Sequence, residues 1–129
     1  MRQEFDKHLR NPKDMESVGD NPMAFMVSRA GLKMCLWYGM LYVVVEGWRD
    51  AGLSDPEVDR LLASPNTELL RRFRNGMFHF QNDQWLPTKL SDFFVPTNRT
   101  VEWVRTLTAE FRRYLMAEMN RIRAKPAAP

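Results

Sequence analysis

The feature that most constrains this chain is an apolar run at residues 34–45, Met-Cys-Leu-Trp-Tyr-Gly-Met-Leu-Tyr-Val-Val-Val, with no charged side chain inside it. It is well short of the ~20 residues that span a bilayer, so it must be buried in protein. The surrounding segment, residues 23–50, contains no cluster of turn residues. Asp20 or Asn21 can cap its start, Pro22 fits a first helical turn, and Gly52 sits where a helix would stop. Val43, Val44 and Val45 are locally strand-like, but the length of unbroken chain favours a helix from Met23 to about Asp50. A helix apolar nearly all round is either central in a bundle or buried twice, once in its own core and once in an oligomer.

The rest of the chain reads as further helices. Ser54 followed by Glu57 has the spacing of a capping box, and predicts a short helix to about Ala63. Ser64 and Pro65 break it, and Asn66 can cap a new helix from Thr67. Residues 81–87 read as a loop, residues 89–94 as a short element, and Pro96-Thr97-Asn98 as another break. A last helix, about residues 99–124, places Val101, Val104, Thr108, Phe111, Leu115, Met119 and Ile122 on one stripe, with Arg105, Arg112, Arg113, Arg121 and Arg123 opposite. Residues 126–129 form a peripheral tail. The expectation is one all-α domain over residues 1–129, a bundle of four to six helices with its core at about residues 21–124 and the first 20 or so residues peripheral.

Composition narrows the function. One cysteine excludes a disulfide framework and Cys-rich zinc modules, and two histidines exclude an all-His catalytic metal site. No metal and no cofactor is expected. Residues 1–10 are charged with no apolar centre, so no signal peptide is expected and the cytoplasm is the default compartment. The net charge is only +3, but arginine outnumbers lysine 14 to 5. Residues 54–67 sum to −2, residues 68–80 to +2 and residues 99–129 to +4. Guanidinium forks match phosphate geometry, so the positive clusters point to nucleic acid.

The segment with most chemistry is residues 68–80. On a helix at about 100° per residue, Leu69, Phe73, Met77 and Phe80 fall on one side, and Glu68, Arg72, Asn75 and His79 on the other. A histidine among arginines and an amide is suited to phosphate chemistry, since imidazole exchanges a proton near neutral pH and guanidinium stabilises a phosphorane-like anion.

The run Arg74-Asn75-Gly76-Met77-Phe78-His79 resembles the R-N-x-x-x-H form of the R-x(4–6)-H signature of HEPN domains, small all-α domains of which many are metal-independent endoribonucleases of toxin–antitoxin, phage-defence and CRISPR systems. The resemblance implies a HEPN-like bundle acting as a homodimer, in which two motifs form a composite cleft. The RNA 2′-OH then attacks the adjacent phosphate and leaves a 2′,3′-cyclic phosphate and a 5′-OH. It implies that His79 transfers or orients a proton, that Arg74 binds the scissile phosphate, and that Asn75 holds the imidazole or the phosphate, with Arg71 and Arg72 as substrate-binding auxiliaries. An antitoxin or partner protein is a further implied partner, alongside RNA. The Tyr that some HEPN toxins carry two residues after the histidine is here Gln81.

One geometric tension goes with this motif. Arg74 and His79 lie about 140° apart on an unbroken helix, whereas Arg72 lies within about 20° of His79. Either Gly76 loosens the turn, Arg74 reaches round the helix, or Arg72 does the work through an R-x6-H spacing. The alternative functional class is a non-catalytic helical module that binds protein, nucleotide or RNA. A DNA-binding protein ranks last, for want of helix-turn-helix spacing. Cys35 reads as packing, Arg71 and Arg72 can equally be a solvated face paired with Glu68, and Trp85 as a rim contact or a base-stacking side chain.

Overall fold

The computed structural model describes residues 28–78 and 92–127. All its regular elements are helical: α1 (Arg29–Asp50), α2 (Pro56–Leu62), α3 (Asn66–Phe78), a single 3-10 turn (Pro96–Asn98) and α4 (Thr100–Ala124). The chain is therefore an all-α bundle, as the apolar periodicity requires.

The long apolar segment is helical through its three valines, but it begins later than its lack of breakers predicts. Ser28 has extended backbone, and its side chain accepts from Gly31 N at 3.1 Å. That hydroxyl satisfies one of the orphan donors of the first turn and starts the helix at Arg29 rather than Met23. The far end is a Schellman turn: Gly52, at φ 63°, donates to Arg49 O, and Leu53 N donates to Trp48 O.

Two cap assignments need correction. Asp55, not Ser54, caps α2, accepting from Glu57 N and Val58 N with Pro56 as the first helical residue. Ser54 instead donates to Asp59 Oδ2 at 2.6 Å. A carboxylate beside two helix N–H groups competes better for them than a hydroxyl one residue earlier. Asn66 does not cap α3 with its side chain. It is the first residue of that helix, its backbone N–H donates to Ser64 Oγ at 3.2 Å, and its amide donates across the bundle to Asn98 O at 2.8 Å.

The core lies where α1, α3, α4 and residues 93–94 converge. Tyr38, Val45, Val58, Leu70, Phe73, Phe93, Val104 and Leu107 are completely buried. Tyr38, Phe73 and Phe93 form a ring cluster with centroids 5.2–5.7 Å apart, within the range of favourable edge and tilted pairs. Trp48 at the end of α1 packs edge-on against Phe111 and Tyr114 of α4. Trp103 anchors α4 to α2 through its indole N–H, which donates to Leu61 O at 3.0 Å.

The stripe expected along α4 is buried over only its first half. Trp103, Val104, Leu107 and Phe111 enter the core, but Leu115, Met119 and Ile122 stand exposed. The helix simply outruns the described elements that could cover it. Its arginines are in part tied to carboxylates: Arg113 donates to Asp55 at 2.6 Å and to Glu110 at 2.5 Å, and Arg121 pairs with Glu118. The expected helix start at Asn21-Pro22, the 81–87 loop with Trp85, and Phe80 lie outside the described residues, as does His79.

Candidate functional site

Helix α3 carries Arg74 and Asn75 of the motif, and its position is set at its N-terminal end and along one face. Thr67, buried in the first turn, donates its hydroxyl to Leu62 O at 2.9 Å, tying α3 to the end of α2. Leu70 and Phe73 are fully buried, with Leu69 and Met77 on the borders of the same face. The described part of the predicted apolar side, Leu69, Phe73 and Met77, does face the core, with Leu70 added about 60° from Phe73. The helix runs without a break through Gly76, which is buried. Gly76 therefore does not loosen the turn between Arg74 and the end of α3, which removes one of the three ways of reconciling Arg74 with His79.

The three arginines of α3 are not gathered into one cluster. Arg71 is exposed and makes a two-pronged bond to Glu68 one turn earlier, at 2.8 and 2.5 Å. That bond holds the Glu68 carboxyl below its ordinary range, and the same contact raises the guanidinium of Arg71. Arg72 lies on the other flank, half exposed, with Asp92 at 3.4 Å. Arg74 is two residues on, which turns it about 160° from Arg72 round the helix. Its side chain is only 20% exposed and points toward α1.

There Arg74 meets Glu46, whose carboxylate accepts from its Nη2, and Tyr42, whose ring lies 5.1 Å from the guanidinium carbon. The two α1 residues are one helical turn apart and so offer a carboxylate and an aromatic face side by side. Arg74 Nε is buried and has no hydrogen-bond partner among the described residues. Asn75 is half-buried, on the polar side of α3 near Glu68 in the helical projection.

Arg71, Arg72, Arg74 and Asn75 thus share one helix, as the motif implies, but each arginine has its own carboxylate. Sequence reasoning missed Glu46, Tyr42 and Asp92. Glu46 was the most findable, because it is the lone charged residue of the segment 34–48. A single carboxylate set into so apolar a helix calls for a cationic partner. Nothing in local spacing says that the partner lies 28 residues away.

Among the described residues, no group of three or more His, Cys, Asp or Glu side chains could hold a metal ion. Among them, too, no helix is long and apolar enough to cross a membrane. Comparison of the chain with family models, with curated proteins and with solved structures returns no match.

Proposed function

We propose that the chain is a HEPN-type, metal-independent endoribonuclease, a toxin or defence effector of the cytoplasm that works as a homodimer. The observation that carries this reading is the bracing of Arg74. A phosphate-binding arginine must be held in one orientation before substrate arrives, because a freely rotating side chain loses much of its binding energy to ordering. Arg74 meets that requirement through Tyr42 and Glu46. The Glu46 bond engages Nη2, and a guanidinium has five N–H donors, so capacity remains for a phosphate oxygen.

In this reading His79 moves the proton of the attacking 2′-OH or of the leaving 5′-oxygen, Arg74 stabilises the charge building on the phosphorane, and Asn75 orients the imidazole or the phosphate. Arg71 and Arg72 steer the RNA backbone. The products are a 2′,3′-cyclic phosphate and a 5′-OH. A partner protein that masks the site would serve as antitoxin.

A second reading, a non-catalytic binding module with the motif reduced to a structural contact, is favoured by one specific observation. Arg71, Arg72 and Arg74 pair with Glu68, Asp92 and Glu46, so the local charge is largely balanced. Incubating the purified chain with RNA in EDTA separates the two. The nuclease reading requires cleavage that His79→Ala and Arg74→Ala abolish. Absence of cleavage, or equal cleavage by His79→Ala, leaves the binding-module reading in possession.

A further inference from the structure

The outer face of α1 is as apolar as its inner face. Leu32, Leu36, Met40, Val43 and Val44 are 40–55% exposed. They recur at the i, i+4, i+8, i+11 and i+12 positions, and project directly away from the core side marked by Met34, Tyr38, Leu41 and Val45. Gly47 continues the stripe, with open space where its Cβ would stand. From Leu32 to Gly47 the stripe is about 22 Å long at 1.5 Å per residue. Charge occurs only toward its ends: Arg29 and Lys33 at the start, Glu46 and Asp50 at the finish.

We infer that this face binds a second copy of the chain, α1 against α1 in antiparallel register about a two-fold axis between Gly39 and Met40. The charge order selects both the partner and the direction. In that register position i faces position 79 − i of the other copy. Arg29 then lies opposite Asp50, Lys33 opposite Glu46, Leu32 opposite Gly47, and Leu36 opposite Val43. Within the stripe Leu32 meets Gly47, Leu36 meets Val43 and Met40 lies beside its own copy at the axis, while the two basic positions at its start, Arg29 and Lys33, meet acidic ones. A parallel pairing would set Arg29 on Arg29 and Asp50 on Asp50. The antiparallel arrangement also lays the basic start of each helix beside the negative C-terminal end of its partner. One patch that is complementary to itself is what a two-fold interface demands.

The pairing locates the dimer that the ribonuclease reading requires, and it stands or falls separately from cleavage. Glu46, which holds Arg74, sits at the edge of the interface opposite the partner's Lys33. The two-fold operation keeps both Arg74 side chains on the same side of the paired helices.

Sedimentation velocity and light scattering on the full chain test the pairing. The wild type should be a dimer at micromolar concentration, and Met40→Glu and Leu36→Glu should each weaken it at least 100-fold while keeping the helical circular-dichroism spectrum. Asp50→Arg should weaken association, and adding Arg29→Asp should restore it. Under oxidation Met40→Cys, close to the axis, should form a covalent dimer, while Leu32→Cys should not, since its two copies lie about 22 Å apart along the helix. Three results overturn the inference: a monomer at tens of micromolar, which gives the face to another segment of the same chain; a dimer indifferent to both glutamates; or ready cross-linking through Leu32→Cys. A dimer that cuts no RNA refutes the nuclease reading alone, and a monomer that cuts refutes the pairing alone.

Discussion

Removing the carboxylate of Glu46 is the most informative single perturbation of the site. Two unit charges about 4 Å apart interact by ~4 kcal/mol at an effective dielectric of ~20. The Glu46 side chain is 44% exposed and Arg74 20%, so water screens the carboxylate more than the guanidinium. Discounting for that exposure and for side-chain ordering leaves a coupling of about 1–2 kcal/mol, above an exposed pair and below a buried one. Tyr42 adds a cation–π contact worth ~1 kcal/mol that survives loss of Glu46. A double-mutant cycle on Glu46→Gln and Arg74→Met, read by urea unfolding, isolates the pair. Glu46→Gln alone should cost most, because it leaves a mostly buried cation with a weaker acceptor. Arg74→Met should cost less, since Met keeps apolar contact with the Tyr42 ring. A coupling below about 0.3 kcal/mol, or Arg74→Met costing more than Glu46→Gln, would refute the claim that Glu46 braces Arg74.

Other consequences are equally direct. Arg113 and the helix N–H groups hold the Asp55 carboxyl below its ordinary range; a lowered folded-state pKa gives stability that is present above the unfolded pKa and lost as pH falls through the folded one. Asp55→Ala should therefore melt below wild type at pH 7, with the gap closing under about pH 4 in thermal scans. Gly52→Ala, at φ 63°, should cost ~1 kcal/mol in denaturant titration, where Gly47→Ala, whose Cβ would meet nothing within its own chain, should cost less. Burial pushes the Cys35 thiol up to about 11, so labelling by a thiol reagent at pH 8 should track unfolding; fast labelling of the native chain contradicts that burial.

What could be read in advance follows the range of the interactions. The 34–45 run and the stripe of α4 are short-range patterns, and both produced helices. The boundaries moved because caps are contests between neighbouring groups: Ser28 halted α1, and Asp55 displaced Ser54 at α2. Gly76 carried no signal of its own, and it is buried within an unbroken helix. At the site, the apolar and polar sides of α3 came directly from 3.6-residue periodicity. The pairing of Arg74 with Glu46, and of Arg72 with Asp92, depends on how separate helices cross, and no local pattern encodes that. The outward stripe of α1 was legible in kind, as a helix with too much apolar surface for one core. Its exposed residues became identifiable only once Tyr38 and Val45 marked the inner side.

The ribonuclease reading rests most directly on one measurement: sequencing both ends of RNA fragments made by the purified chain in EDTA, beside the His79→Ala and Arg74→Ala variants. The account predicts 5′-OH and 2′,3′-cyclic phosphate ends from the wild type, and loss of both products in each variant. Fragments with 5′-phosphate ends, or cyclic-phosphate products that persist undiminished in His79→Ala, would contradict it.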